Sequence, residues 1–133
     1  MVEQPLPAGR DDALHAARAA GLAGLPLGAD ESVHMRADLS RLEVLYDVVN
    51  VKLDKAGGLI EAPALADAAL ARGFELMVGC MMATLLAMAP ARLVVQRARF
   101  VDFDGPLWMR ADCPHGLRFE GQTIHPPEAV PWR

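Results

Sequence analysis

The sequence is poor in the residues that mark several classes of protein. It has two cysteines, Cys80 and Cys113, and four histidines, and none of them shows the spacing of a disulfide framework or a metal site. The net charge is −4 and the basic residues are scattered, which argues against a nucleic-acid-binding surface. No basic segment followed by an apolar one opens the chain, and the longest apolar run, residues 79–91, is too short to span a bilayer. We therefore expect a cytoplasmic protein with neither a membrane nor a nucleic-acid partner.

Apolar residues, by contrast, are abundant. They make up 53% of a chain of 133 residues, a high share for a small domain. A chain of this length is expected to form one domain. The high apolar share is typical of an α/β protein whose parallel strands are buried on both faces.

Polar residues end the short apolar runs at regular intervals. The runs end at Glu3, Asp30, Lys52, Cys80 and the pair Asp102 and Asp104. One strand, one covering helix and two loops take roughly 20–30 residues, which is close to the spacing of these positions. The chain is therefore predicted to contain five βα units, each with polar groups at the carboxyl end of its strand, where parallel α/β proteins bind and react.

The local pattern places the elements of these units. Strands are predicted over residues 2–6, 25–30, 48–53, 74–79 and 99–103. Helices are predicted over residues 10–20, 39–46, 59–72 and 84–96, the last interrupted at Pro90. Asp11 and Asp12 are expected in the first turn of the first helix, where acids favour the helix dipole. The tail from Gly105 is expected to form loops or a hairpin over residues 117–124.

Two parallel architectures remain open from this pattern, an open doubly wound sheet and part of a (β/α)8 barrel. No Gly-x-Gly-x-x-Gly follows a predicted strand, so a dinucleotide-binding sheet lacks its best support. A closed barrel needs eight units and about 250 residues, so five units form only part of one.

Alternation along the strands decides which polar side chains share a face. Asn50 and Lys52 are predicted to lie on one face.

Glu3 and Asp30, on neighbouring strands, offer oxygen ligands for a hard divalent cation. Lys52 suits a base for removing a proton next to a carboxylate, if burial and a nearby cation lower its pKa. Lys55 is the alternative, and the parity with Asn50 favours Lys52.

Five segments in order carry a family resemblance. They are Glu3-Gln4-Pro5, Ala29-Asp30-Glu31-Ser32, Asn50-Val51-Lys52-Leu53-Asp54-Lys55-x-Gly57-Gly58, Val78-Gly79-Cys80-Met81 and Asp102-x-Asp104-Gly105-Pro106. Together they resemble the barrel domain of the enolase superfamily, muconate-lactonizing subgroup, and in particular the dipeptide epimerases of the L-Ala-D/L-Glu type. The resemblance covers nearly the whole chain, and the Asp-x-Asp segment discriminates best.

The resemblance implies a fold and a domain. The fold is a partial (β/α)8 TIM barrel with about five units, the fourth to eighth strands. Residues 1–133 would form an incomplete carboxy-terminal barrel domain of the enolase type, with residues 105–133 as a loop or hairpin tail.

It also implies a Mg²⁺-dependent amino-acid racemase or epimerase acting on a dipeptide. Glu3 and Asp30 would be the second and third Mg²⁺ ligands, and Lys52 the acid/base lysine of the sixth strand. The pair Asp102 and Asp104 would hold the α-ammonium group of the dipeptide. Cys80 and Met81 would contact the substrate.

The chain departs from the family pattern at its start. The family's Lys-x-Lys segment and first metal aspartate lie on strands before the fourth, where this chain begins. We therefore expect little or no epimerase activity from the isolated chain, and either homo-oligomerisation or pairing with a missing amino-terminal half.

Other functions stay open. A cycloisomerase or an o-succinylbenzoate synthase would keep Glu3, Asp30 and Lys52 but would have little use for two acids at positions 102 and 104. A non-catalytic, truncated fragment that self-associates is the alternative from another class.

Overall fold

Strands and helices alternate along the chain in the computed structural model, which describes residues 1–20, 24–114 and 116–126. The first five strands are β1 (Val2–Glu3), β2 (Leu27–Ala29), β3 (Val48–Val51), β4 (Glu75–Val78) and β5 (Phe100–Val101). The helices are α1 (Ala13–Ala19), α2 (Leu39–Leu42), α3 (Gly58–Ala71), α4 (Leu85–Met88) and α5 (Arg92–Val95). A hairpin of β6 (Arg118–Glu120) and β7 (Thr123–His125) follows.

The five strands β1 to β5 form one parallel sheet in chain order. Val2 pairs with Leu27, Gly28 with Val48, Asn50 with Met77 and Met77 with Phe100. Consecutive parallel strands with helical crossovers form a curled half-barrel, which confirms the predicted α/β class and partial TIM barrel. All five carboxyl ends therefore lie at the same edge of the sheet.

The two faces of the sheet pack differently. Val49, Val51, Leu76 and Val78 belong to the hydrophobic core that the sheet shares with its helices, together with Leu65 of α3. Asn50 alternates with these valines and faces the inside of the curve, where it is fully buried. The alternation predicted for the third strand is thus the one that the structure has.

The predicted start of the first helix is wrong. The structure begins α1 at Ala13, three residues after the predicted start, and the first turn contains no acid. Asp11 instead lies before the helix and is buried, and its Oδ1 accepts hydrogen bonds of 2.6 Å from the Ser32 and Tyr46 hydroxyls. Its carboxylate therefore serves tertiary packing, which pattern alone does not reveal.

Glycine and proline end or interrupt the helices where the sequence predicts. Gly73 follows α3 with a φ of +87°, and the amides of Gly73 and Phe74 bond back to the carbonyls of Leu70 and Ala69. Pro90 lies in a 3₁₀ segment, Ala89–Ala91, that separates α4 from α5. Gly73 thus lies between α3 and β4, and Pro90 lies between α4 and α5.

The tail begins with a 3₁₀ helix, Gly105–Trp108, and contains the β6–β7 hairpin, as predicted for residues 117–124. The last part of the predicted tail, residues 127–133, lies outside the described residues. Among the helices that the structure describes, none is long and apolar enough to cross a membrane.

Candidate active site

A cavity of about 420 Å³ lies at the carboxyl ends of the five parallel strands. It is lined by Glu3, Gln4, Asp30, Glu31, Asn50, Lys52, Met77, Gly79, Cys80, Asp102 and Asp104. Six of the seven predicted site residues are in this set. The seventh, Met81, is not among the lining residues, and 51% of its surface is exposed. The parallel register brings these polar groups together because every strand ends at the same edge.

Glycine at position 79 makes room for two polar side chains of β3 and the turn after it. A Cβ added at Gly79 would lie 2.8 Å from Asn50 Oδ1 and 3.0 Å from Lys52 Cε. These separations are shorter than normal van der Waals contacts, so a side chain at position 79 would displace its neighbours. Gly79 therefore allows Asn50 and Lys52 to pass along the inner face towards the cavity.

Asp30 pairs with both lysines of the sequence. Lys52 Nζ donates to Asp30 Oδ2 at 2.6 Å, while Lys55 Nζ donates to Oδ1 and, at 2.6 Å, to the Asp30 carbonyl oxygen. Burial alone would raise the pKa of Asp30, but the hydrogen bonds from the two ammonium groups lower it below its ordinary value. Asp30 is therefore an ionised carboxylate between two cations.

The two lysines differ in their pKa. Burial disfavours the charged form of Lys52, yet the hydrogen bond and charge of Asp30 outweigh it, so the pKa of Lys52 is raised. Burial dominates at Lys55, and its pKa is lowered. The lowered pKa that the sequence made a condition for Lys52 thus belongs to Lys55 in this structure, because Asp30 stabilises the Lys52 ammonium.

Glu3 lies beside the same cluster. Its Oε1 accepts a hydrogen bond of 2.5 Å from Asn50 Nδ2. Burial, the largest effect, and the nearby charge of Asp30 raise the pKa of Glu3 despite that hydrogen bond. Two carboxylates close enough to repel each other in a half-buried site favour a bound cation.

Glu3 and Asp30 fit Mg²⁺ in chemical type. Both offer hard oxygen ligands, and Mg²⁺ is commonly held by one or two carboxylates with water completing an octahedron. The buried Asn50 Oδ1 adds an amide oxygen without a hydrogen-bond partner in the described structure. Among the described residues no group of three or more His, Cys, Asp and Glu side chains could hold a metal, so these two carboxylates supply only part of a coordination shell.

Asp102 and Asp104 form the acidic side of the cavity. Asp102 Oδ1 accepts a hydrogen bond of 3.2 Å from the Asp104 amide, and Asp104 Oδ2 accepts one of 2.9 Å from Trp108 Nε1. Within the described part of the chain neither carboxylate forms an ion pair. Two acids without a cationic partner at a cavity mouth are suited to a positively charged ligand.

Cys80 lines the cavity as a protonated thiol. Burial, the largest effect, raises its pKa, and the charges of Asp102 and Asp104 act in the same direction. Because the thiolate is the reactive form, this environment does not activate Cys80 as a nucleophile. Its position suits a contact with a ligand.

Sequence reasoning missed Gln4 and Asp11 as parts of the site and its support. Gln4 is the middle residue of Glu3-Gln4-Pro5, and its side-chain oxygen accepts hydrogen bonds from the Asp30 and Ser32 amides. Its position directly after a predicted metal ligand was the available signal. Asp11 had none, because acids before a helix usually act on that helix.

Comparison with known proteins finds similar sequences over nearly the whole chain. A family model described as "Enolase C-terminal domain-like" matches residues 1–130. The chain is 46% identical over 125 residues to the L-Ala-D/L-Glu epimerase of Escherichia coli, which covers 94% of this chain and 38% of the relative. It is 45% identical over 132 residues to the N-acetyl-D-glutamate racemase of a Pseudoalteromonas species, which covers 99% and 41%. The chain thus spans about two fifths of the length of these curated relatives.

Solved structures show the same fold. An enolase family member from Agrobacterium tumefaciens with homology to dipeptide epimerases, with bound sodium and L-Ala-L-Glu, is 48% identical and superposes with a TM-score of 0.85. The match covers 93% of this chain and 37% of that one. A dipeptide epimerase from Cytophaga hutchinsonii, complexed with Mg and D-Ala-L-Val, is 28% identical with a TM-score of 0.81, and the match covers 92% and 34%.

Proposed function

Because the chain belongs to the enolase C-terminal domain-like family, we propose that it provides part of the active site of a Mg²⁺-dependent dipeptide epimerase. The observation that carries the proposal is one cavity lined by Glu3, Asp30, Lys52, Asp102 and Asp104. This set combines oxygen ligands for a cation, an acid/base group and a site for an ammonium group. The cation ligands and the acid/base group are needed to remove a proton from the carbon next to a carboxylate, and the ammonium site selects the substrate.

Glu3 and Asp30 are the residues that would hold Mg²⁺. When bound, Mg²⁺ supplies positive charge that stabilises the charge developing on the substrate carboxylate. The Asn50 amide fixes the position of Glu3 through the hydrogen bond to Oε1. Neutral amides are well suited to this task because they orient a carboxylate without changing the charge of the site.

Lys52 is the proposed acid/base group. Lys52 lines the cavity as an ammonium group that donates to Asp30. That ammonium group first gives up a proton to solvent, and the neutral amine then takes the α-proton of the substrate and later returns a proton to the same face. Lys55 remains with the Asp30 carboxylate and carbonyl oxygen and keeps that ligand in place. One base acts on one face of the substrate, so the isolated chain is expected to exchange the proton much faster than it inverts the centre.

Asp102 and Asp104 set the proposed substrate class. Two carboxylates stabilise an α-ammonium group, which a dipeptide such as L-Ala-L-Glu carries. An N-acylated amino acid has no such charge. N-acetylglutamate is nonetheless the second candidate, because a relative of almost equal identity is an N-acetyl-D-glutamate racemase. The uncompensated acids of this cavity favour the dipeptide.

The test is hydrogen–deuterium exchange at the substrate. The purified 133-residue chain is incubated with Mg²⁺ in D₂O, with L-Ala-L-Glu or N-acetyl-L-glutamate, and the glutamyl α-proton signal is followed by NMR. We expect loss of that signal from the dipeptide, little inversion, and no exchange with Lys52→Met. The Arg110→Met variant is a control for loss of a positive charge outside the cavity-lining set.

Each possible result tests a different part of the proposal. No exchange above the protein-free rate contradicts the proposed activity, and exchange by Lys52→Met contradicts the role of Lys52. Faster exchange of N-acetylglutamate than of the dipeptide contradicts the ammonium role of the two aspartates. Rapid inversion contradicts the single-base limit.

The proposed partner is a second copy of this chain or another chain that continues the barrel. In the described structure β1 and β5 each pair with one neighbouring strand only. Unpaired strand edges favour association with further strands. Light scattering on the purified chain tests this, and a monomer at all concentrations contradicts it.

A further inference from the structure

Gln4 has a backbone conformation that few residues other than glycine adopt. Its φ is +35°, and it is the one described non-glycine residue with a positive φ. Such a conformation persists only when the surrounding structure fixes it. The backbone amide of Gln4 helps to fix this conformation, because it donates a hydrogen bond of 2.7 Å to the Gly28 carbonyl oxygen of the neighbouring strand. The turn directs the Gln4 side chain towards the loop after β2.

That side chain connects the ends of two strands. Its Oε1 accepts hydrogen bonds from the Asp30 amide at 2.9 Å and from the Ser32 amide at 3.2 Å. Its Nε2 donates to the Leu6 carbonyl oxygen at 2.7 Å, to Ser32 Oγ at 2.9 Å and to the Tyr46 hydroxyl at 3.1 Å. The oxygen therefore holds the backbone of Asp30, and the nitrogen anchors the amide in the surrounding fold.

We infer that Gln4 is a positioning residue that fixes Asp30 relative to Glu3. Glu3 precedes Gln4 directly in the chain, and Asp30 is bonded to its side chain, so one residue links the two carboxylates. Without this link, Lys52 and Lys55 still hold Asp30, but no side chain on β1 or directly after it fixes the Asp30 and Ser32 amides relative to Glu3. The inference concerns geometry, and only its consequence for metal affinity rests on the proposed function.

The hydrogen bonds of Gln4 Nε2 offer a matched control, because one of them can be removed without changing those of Oε1. Tyr46→Phe removes the hydroxyl that bonds to Gln4 Nε2 and to Asp11 Oδ1, and it leaves both bonds of Gln4 Oε1 in place. Gln4→Met keeps the length of the side chain and removes all its hydrogen bonds. Gln4→Gly also removes them and accepts the positive φ without strain, so it serves if Gln4→Met fails to fold.

The first measurement is amide hydrogen exchange by NMR on the full chain. We expect the Asp30 and Ser32 amides to exchange at least about tenfold faster in Gln4→Met or Gln4→Gly than in the wild type. In Tyr46→Phe the same amides should stay within about threefold of the wild type. Unchanged exchange in the Gln4 variants, or equal acceleration in Tyr46→Phe, overturns the inference.

The second measurement is Mn²⁺ affinity, followed by the paramagnetic resonance signal of the free ion. Loss of an orienting residue should weaken Mn²⁺ binding about tenfold in the Gln4 variants. Tyr46→Phe should bind like the wild type, and equal weakening there overturns a specific positioning role. If the wild type binds no Mn²⁺, the proposed metal role of Glu3 and Asp30 fails, and the exchange measurement still decides the role of Gln4.

Discussion

Gly79 lies so close to Asn50 that a Cβ at position 79 would be 2.8 Å from Asn50 Oδ1 and 2.9 Å from Nδ2. The backbone of Gly79 is not left-handed, so space rather than conformation requires glycine there. Asn50 in turn donates to Glu3, so the packing at Gly79 reaches the carboxylate on β1 through one hydrogen bond.

Gly79→Ala should therefore destabilise the fold. Overpacking a filled interior costs about 1–3 kcal/mol, and here the methyl group meets Asn50 and the Lys52 stem. Urea denaturation measures the loss. Gly24→Ala is the control, because an added Cβ at Gly24 has no atom of the described residues within 4 Å and the change in the free energy of unfolding should stay within about 0.5 kcal/mol. Equal stability of the two variants would show that the inner face yields to the methyl group.

Substitutions of the two lysines that pair with Asp30 should have non-additive effects on the free energy of unfolding. Lys52→Met or Lys55→Met leaves Asp30 with one ammonium partner and should cost about 1–3 kcal/mol each. The double variant leaves a buried carboxylate next to Glu3 without a cation, and its cost should exceed the sum of the single costs by about 1 kcal/mol. Denaturation of the four proteins gives the coupling. Additive costs would mean that another group or water stabilises the Asp30 charge when both lysines are replaced.

Much of the architecture follows from sequence because each strand and helix has a local pattern, and because strands joined by helical crossovers pair in parallel. The buried valines around Asn50 predict a strand with an inner and an outer face, and Gly73 predicts the end of the long helix. Parallel pairing then brings Glu3, Asp30 and Lys52 to one edge without further information. The fold was predictable for this reason, as was the gathering of these side chains around one cavity.

What sequence could not supply depends on contacts between distant residues. Asp11 bonds to Tyr46, 35 positions later, so no local pattern separates it from a first-turn acid. The pKa of Lys52 depends on its burial and on its hydrogen bond to Asp30, which lies 22 positions earlier in the chain. Cys80 and Met81 are neighbours in Val78-Gly79-Cys80-Met81, and both were predicted to contact the substrate. Of the two, only Cys80 lines the cavity.

The buried Asp11 carboxylate should make stability depend on acid pH. Burial would raise its pKa, but hydrogen bonds from Ser32 and Tyr46 lower it below 3.8, its ordinary value. A lowered folded-state pKa stabilises the fold above the unfolded-state pKa, and this stabilisation is lost as pH falls through the folded-state value. Asp11→Asn should cost about 1–3 kcal/mol at neutral pH.

The pH dependence distinguishes this charge from other carboxylates. The stability difference between the wild type and Asp11→Asn should be constant from pH 5 to 7, about one unit or more above the unfolded-state pKa. It should shrink below pH 3.8 as Asp11 binds a proton in the wild type. Asp12→Asn, an exposed neighbour, is the control and should show little difference at any pH. A difference that stays constant into the acid range would contradict the charge-based explanation.

The indole of Trp108 should report on binding at Asp104. Its Nε1 donates a hydrogen bond of 2.9 Å to Asp104 Oδ2, and 72% of the residue is exposed. An ammonium group that binds Asp104 changes the charge beside the indole, so the tryptophan emission should shift when L-Ala-L-Glu is added. The measurement uses a Trp132→Phe background, which leaves Trp108 as the single tryptophan.

Two comparisons test whether that shift comes from the acidic pair. Asp102→Asn with Asp104→Asn keeps side chains of the same shape and removes both charges, so the shift should disappear. N-acetyl-L-glutamate, which has no ammonium group, should cause little shift of the tryptophan emission in the protein with both aspartates intact. A shift that survives the double substitution, or one of equal size with N-acetyl-L-glutamate, would mean that the dipeptide binds elsewhere and that the two aspartates do not select for a positive charge.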